Sequence, residues 1–358
     1  MDGSLRPNTQ AGGLQALYAE MRPHSLYPLW EVLHALVTPE PKSGAVPHRW
    51  PYAEARDYLL RAGDLISAEQ AERRVLILEN PGLPGSSAAT TSLYAGLQLI
   101  LPGEVAPCHR HTQSALRFVV EGDGAFTAVD GERAVMRPFD LVLTPNWRWH
   151  DHGNATASHM IWLDGLDIPT VRAFDASFAE RLPEKAHPET AAPDTSRALH
   201  GRNLRPRRAG SATSDRRASD KQPLFRYPFD QWRSALDTLA RAGDPDPHLG
   251  HALEFTNPAD GGAVMPTISA EVRLVPRGTA TRPRRSTDAT VLTVVESGPG
   301  AAAIVSGRDI PLAERDVFVI PSWAEATLRA PEEADLVVFA YSDRTAQEKL
   351  GLHREALG

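Results

Sequence analysis

The chain has 358 residues, with 45 Asp and Glu against 38 Lys and Arg and a formal net charge of -7, a balance that gives no reason to expect nucleic acid or an anionic membrane as partner. The single cysteine, Cys108, excludes an intrachain disulfide and fits a reducing cytoplasm. No run approaches the ~18 apolar residues a membrane helix needs, and the polar N-terminus lacks a secretory pattern.

In chain order, residues 1–90 read as an N-terminal helical segment. LWEVLHALV puts Leu29, Trp30, Leu33, Leu36 and Val37 on one stripe at helical spacing, and Pro39 and Pro41 end it. A second helix fits YAEARDYLLRAGDLI from Tyr52, with Pro51 at its start. These helices are expected to be a cap or subunit contact packed on a β-core. AEQAERR then leads into the strand VLILEN.

From Leu93 the pattern changes to strands. LYAGLQLILPGE, a histidine strand, RFVVEG, a hairpin signal at Asp130-Gly131, LVLTP and a strand from Ala157 to Leu163 follow one another. Short strands with frequent Gly, Pro and Asp turns suggest a small antiparallel barrel over 91–168. Residues 169–249 read as linker and helices. Within them, 184–222 is polar and rich in Pro, Ser and Ala, with seven arginines between Arg197 and Arg217. Without interleaved aromatics it reads as a solvated connection rather than a nucleic-acid arm. A helix starts near Phe229 and ends by Gly243.

The last third repeats the barrel over 250–345, before a tail at 346–358. Gly124 matches Gly300, Gly131 matches Gly307, Asp140 matches Asp316, Pro145 matches Pro321 and Trp147 matches Trp323, all at one offset (321 − 145, or 176). Such agreement marks an internal duplication.

The stretch PCHRHTQSALRFVVEG carries the chemistry. His109 and His111, two apart, share one face of a strand, and His150 in WRWHDHGN can complete a set of three imidazoles. Imidazole suits Fe, Zn, Cu or Ni. At the matching positions the second copy has Arg284, Ser286 and Ala326, so it is expected to hold no metal.

These residues resemble the cupin motifs: Gly103, five residues, then His-x-His, and later Pro145, His150 and Asn154. The usual glutamate after the second histidine is missing, with Ala115 and Leu116 in its place. With PLWE, AERRVLILENPG, LYAGLQLILPGE, IWLDGLD and DVFVIPSW, the chain resembles the gentisate 1,2-dioxygenase family, which includes salicylate and 1-hydroxy-2-naphthoate dioxygenases. The resemblance implies an all-β-dominated bicupin, two double-stranded β-helix (jelly-roll) barrels with an N-terminal helical segment, assembled as a homotetramer.

It further implies Fe(II) on His109, His111 and His150 and an aromatic hydroxy-acid substrate such as gentisate. With O2, the ring opens between the carboxylate- and hydroxyl-bearing carbons. His152 is implied as acid or base, or else a histidine outside the ligand shell. Arg117, six positions after His111 and on the same face if the strand stays regular, is the first choice to clamp the substrate carboxylate; a structural ion pair is the alternative. Arg73 or Arg74 would add a second clamp. Gln98 and Asp164 match pocket positions, with Asp164 a partner for a ring 5-substituent. Tyr94, Trp149 and Trp162 line the pocket or pack the barrel. Cys108 stands where a small residue is usual. Phe139 replaces a glycine, so its turn is expected to avoid the left-handed conformation. A cupin isomerase, a hydrolase or a non-catalytic ligand-binding cupin remains the alternative class.

Overall fold

The computed structural model describes residues 9–184, 186–202, 204, 206 and 222–358. Most of the arginine-rich connection, positions 203, 205 and 207–221, lies outside the described residues.

Residues 9–42 form a unit of their own, with helices α1 (Thr9–Met21) and α2 (Leu29–Leu36). Trp30 Nε1 donates to Tyr18 Oη at 2.8 Å, and Tyr18 Oη donates to Glu31 Oε1 at 2.6 Å. The expected stripe of Leu29, Trp30, Leu33, Leu36 and Val37 is exposed.

The second unit starts at Ser43. It runs β1 (His48–Trp50), α3 (Tyr52–Leu65), α4 (Ala68–Ala71), β2 (Arg74–Ile77), β3 (Tyr94–Ile100), β4 (Val105–His111), β5 (Ala115–Glu121), β6 (Phe126–Val129), β7 (Glu132–Val135), β8 (Leu141–Thr144), β9 (His150–Gly153), β10 (Met160–Leu166), α5 (Ile168–Ala173), β11 (Ala179–Arg181) and α6 (Thr195–His200). It continues as β12 (Arg226–Tyr227), α7 (Phe229–Ala242), β13 (His251–Glu254), β14 (Ser269–Val275), β15 (Arg284–Ser286), β16 (Thr290–Glu296), β17 (Ala302–Val305), β18 (Arg308–Pro311), β19 (Val317–Ile320), β20 (Ala326–Arg329), β21 (Leu336–Ser342), α8 (Arg344–Lys349) and β22 (Glu355–Leu357).

Two barrels result, each from a six-stranded and a five-stranded sheet. The first pairs β12-β8-β5-β10-β3-β2 with β11-β4-β9-β6-β7. The second pairs β1-β19-β16-β21-β14-β13 with β18-β17-β20-β15-β22. Strands of the large sheets are apolar on both faces because both are covered. On β5, Val119 faces an interior cluster with Ile100, Val142 and Trp162, while Leu116, Phe118 and Val120 face the other barrel. Phe118 stacks on Phe339 there at 4.1 Å between ring centroids.

The duplication reaches beyond the barrels. The expected N-terminal helical segment supplies β1 to the second barrel and β2 to the first, and the expected tail supplies β22. Arg49-Trp50-Pro51-Tyr52 repeats as Arg226-Tyr227-Pro228-Phe229 (226 − 49, or 177). Arg226 pairs with Asp140, whose Oδ1 accepts from Phe229 N; Arg49 pairs with Asp316, whose Oδ1 accepts from Tyr52 N. Each arm then crosses over. The strand at 48–50 docks on the second barrel, yet Arg56 of α3 binds Glu121 of the first. Strand β12 docks on the first, and Arg233 of α7 binds Glu296 of the second.

Three expectations need correcting. Phe139 does occupy the left-handed region, with φ 64°, as does its counterpart Arg315 at 68°. Left-handed backbone costs a non-glycine residue roughly 1–2 kcal/mol; Phe139 offsets this by packing against Phe118 and Phe229. Arg117 does not continue the histidine strand: the chain turns at 112–114, and Arg117 lies on β5. The turn at Asp130 and Gly131 has φ of 48° and 82°, as a two-residue hairpin requires. The strand expected from Ala157 to Leu163 runs instead from Met160 to Leu166.

Candidate active site and metal centre

β4 and β9 are neighbours, and His109 sits directly opposite His150. Between Ala106 and His109 the register shifts, so Pro107 and Cys108 form a bulge that re-aims the histidine. Ring centroids of the three histidines lie 4.1 to 5.2 Å apart, and one nitrogen from each falls within 4.8 Å of the others. This is the one such group of metal-ligating side chains among the described residues, and it has no carboxylate.

Backbone carbonyls orient two of the rings. His111 Nδ1 is 2.9 Å from Gln113 O, and His150 Nδ1 is 2.9 Å from Arg148 O. A carbonyl only accepts, so each Nδ1 carries the proton and each Nε2 is left with a lone pair. His150 Nε2 is buried with no partner in the protein. Burial pushes His111 down to about 4 and His109 to about 2, with the Arg73 charge adding to the effect on His109. Burial also holds His150 well below its ordinary value. Neutral imidazoles are what a transition metal requires, and His111 and His150 turn their lone pairs inward. The donor set therefore fits a divalent cation.

In the second barrel Arg284 pairs opposite Ala326, just as His109 pairs opposite His150. There Arg284 binds Glu355 and Asp288, and His353 from the tail reaches Asp288 and Ser286. Where one barrel gathers three imidazoles, the other gathers paired charges around Arg284 and Asp288.

Around the triad the structure gathers most of the residues singled out from sequence. Arg73 Nη2 lies 2.5 Å from His109 Nδ1 and donates at 3.1 Å to Pro107 O. Arg117 is buried; it donates to Thr144 Oγ1, and its Nε is 3.5 Å from Asp164 Oδ1 without the alignment of a hydrogen bond. Trp162 Nε1 donates to Asp164 Oδ1 at 3.0 Å. Burial pushes Asp164 up to about 6 despite the arginine. Gln98 is buried opposite Trp162 on β3. Tyr94 lies two and four residues from Gly96 and Gln98 on the same face. Its hydroxyl closes over Gly96, where a Cβ would come within 2.6 Å of it. His152 is buried on the same face of β9 as His150, 5.9 Å from it between ring centroids, and its Nε2 has no partner.

Two residues are placed elsewhere. Arg74 is spent on Glu104, gripped through both carboxylate oxygens at 2.9 and 3.0 Å, and on Ile66 O. It belongs to the scaffold rather than the pocket, because alternate residues at the start of β2 point to opposite sides. Trp149 packs outside the barrel against Arg110, 4.5 Å from its ring. Sequence reading missed Thr144, Glu104 and Thr127, partners set by strand register and not by any local motif. The repeated Arg-aromatic-Pro-aromatic motif was available and would have revealed the crossed arms.

A cupin domain family model matches residues 96–166, the strands that carry this site. Over 339 residues the chain is 49% identical to "Gentisate 1,2 dioxygenase 1" of Aquipseudomonas alcaligenes, covering 95% of each. It belongs to the gentisate 1,2-dioxygenase family.

Family members similar to it include "5-aminosalicylate 1,2-dioxygenase" of a Comamonas species, 34% identical, with 98% of this chain and 91% of that one covered. The crystal structure of salicylate 1,2-dioxygenase from Pseudoaminobacter salicylatoxidans, described as adducts with gentisate, superposes with a TM-score of 0.88 at 34% identity, covering 99% of this chain and 96% of that one. The protein is thus a bicupin enzyme, a ring-cleaving dioxygenase. No helix among the described residues is long and apolar enough to cross a membrane.

Proposed function

We propose that the enzyme is an Fe(II)-dependent dioxygenase that opens gentisate between the carbons bearing the carboxylate and the adjacent hydroxyl, using O2. The observation that carries this reading is a neutral three-histidine face flanked by two arginines, Arg73 and Arg117, against one buried carboxylate, Asp164. His109, His111 and His150 would hold the iron. The metal, when bound, supplies a template for substrate and O2 and a path for electrons between ring and oxygen.

The protein's own groups do the rest. A ligand set without charge leaves the cation's full charge for an anionic substrate. The Arg117 fork binds the carboxylate, with Arg73 as the second cation. Asp164 and Gln98 are the partners this reading gives to a ring 5-substituent. A carboxyl pushed up to about 6 accepts or donates near neutral pH, which suits a ring 5-hydroxyl and equally a 5-amino group. Trp162 and Tyr94 enclose the aromatic face and exclude water. His152 meets a substrate oxygen. The same reading implies a homotetramer in the cytoplasm, the assembly being checked by sedimentation of the pure protein.

The test is anaerobic reconstitution with Fe(II), then oxygen uptake with gentisate, salicylate, 5-aminosalicylate and 1-hydroxy-2-naphthoate. Stoichiometric uptake with gentisate is expected. Rapid uptake with salicylate but none with gentisate would overturn the substrate, and no uptake with any of them would overturn the function.

A further inference from the structure

Gly165 on β10 and Tyr341 on β21 are counterparts in the two copies (341 − 165, or 176). Strand pairing places them alike. Gly165 lies opposite Ala95 of β3 and Leu116 of β5, and Tyr341 lies opposite Ala270 of β14 and Val291 of β16. Those partners are counterparts too (270 − 95 and 291 − 116, each 175). The two positions also meet in space, since a Cβ on Gly165 would come within 2.7 Å of Tyr341 Cζ. Counterparts that touch sit on the pseudo-two-fold axis, where two large side chains cannot share one volume. One copy must be small there, and it is the copy that carries the three histidines.

The asymmetry gives the second barrel a reach into the first. Tyr341 is fully buried, and its Oη donates to Tyr94 O at 2.8 Å. Burial pushes this phenol well above its ordinary value, with Tyr94 and Asp164 adding to the effect, so it stays a protonated donor. The reciprocal bond, from position 165 to the carbonyl of Ser269 (269 − 94, or 175), has no side chain to make it. Tyr94 opens β3, and its side chain shares a strand face with Gly96 and Gln98. Gly96 is pinched between the Tyr94 hydroxyl and Val75 Cγ1, each 2.6 Å from where a Cβ would stand. So close a fit passes any shift of the Tyr94 backbone straight to its ring.

We infer that Tyr341 is a positioning residue for the active site: by holding the Tyr94 carbonyl it fixes the Tyr94 ring over Gly96, so that the barrel without histidines sets one wall of the pocket in the other. That Tyr94 encloses the substrate ring rests on the proposed function.

Tyr341→Phe keeps the ring against Gly165 and removes only the donor. In the Fe(II)-loaded enzyme, KM for gentisate should rise about five- to tenfold, the scale of one neutral hydrogen bond. The kcat should move by less than about twofold, because an aromatic wall binds substrate and transition state alike. Metal stoichiometry should not change. Tyr227→Phe is the control. Tyr227 Oη also donates to a carbonyl at 2.8 Å, from β12 of the first barrel to Thr256 just after β13 of the second, and neither residue belongs to the pocket. Its kinetics should match the wild type. No rise in KM for Tyr341→Phe, or an equal rise in both variants, overturns the inference. A crystal structure of Tyr341→Phe supplies a readout independent of turnover: the Tyr94 ring is expected to leave its place over Gly96, and a ring found unmoved overturns the inference as well. If the wild type opens no hydroxybenzoate, the proposed function falls, while the position of Tyr94 in that variant still decides what Tyr341 holds.

Discussion

Single side chains around the triad divide into those that face the pocket and those that hold the frame. His111 offers its Nε2 inward because Gln113 O fixes the other nitrogen. His111→Ala should abolish both metal content and turnover; a variant that retains full activity would refute the assignment. Arg117 offers a planar fork that lysine cannot copy. Arg117→Lys is expected to lower kcat/KM about 10- to 100-fold, the range of one charged hydrogen bond, with metal content intact. Steady-state kinetics beside metal analysis check both halves of that statement. Arg74 is the contrasting case. Its pair with Glu104 is buried on the arginine side and half-buried on the other, with side-chain exposures of 5% and 17%. Breaking a fully buried pair costs about 3–5 kcal/mol, and water reaching Glu104 lowers that figure here. Arg74→Ala should therefore depress thermal stability sharply while leaving the KM of the residual folded enzyme unchanged.

At the scale of elements, the two arms explain why the barrels form one unit. Each begins with an arginine on a strand that reaches the aspartate of a barrel turn, and ends with a helix tied to the opposite barrel. Arg226 is the more deeply buried of the two, with a side chain 8% exposed against 28% for Arg49. It also engages two carboxylates, Asp140 and Asp194. Arg226→Ala is expected to cost more stability than Arg49→Ala, which urea unfolding of the two variants measures. Equal losses would show that burial is not what separates them. In the second barrel, Arg284 sits where the first has a metal ligand, already paired with Glu355 and Asp288. Arg284→Ala should leave metal stoichiometry unchanged, and loss of half the metal would show that this barrel binds after all.

For the whole molecule, the barrels meet through a pseudo-two-fold interface that repeats its own contacts. Asp167 accepts from Thr267 across the interface and from Ser114 N; Asp343, its counterpart, bonds Ser92 across the interface and accepts from Ala289 N. Burial pushes Asp167 up to about 6. The unfolded chain releases that proton near the ordinary value, so between roughly pH 4 and 6 the folded state binds more protons. Stability must then fall as pH rises through that window, on the order of 1 kcal/mol per pH unit from this group. Asp167→Asn should flatten that slope in unfolding experiments run from pH 4 to 7. An unchanged slope would assign the dependence to other carboxyls.

The His-x-His spacing, the duplication and the absence of ligands from the second copy were legible in the sequence, because a period of two on a strand and a fixed offset between copies are one-dimensional facts. So were α3 and α7, each opened by a proline and read from helical spacing. The left-handed backbone at Phe139 was not legible: its tolerance depends on Phe118 and Phe229, remote in sequence. Nor was the sorting of Arg73 into the pocket and Arg74 into the scaffold, since only the start of β2 decides which neighbour faces inward. The partners of Arg117, Arg74 and His152 belong to other strands, and register between strands is settled by packing of both sheet faces at once. Sequence alone determined which groups could bind a metal and in which copy. Tertiary structure decided what surrounds them, because hydrogen bonds between distant strands have no trace in local spacing.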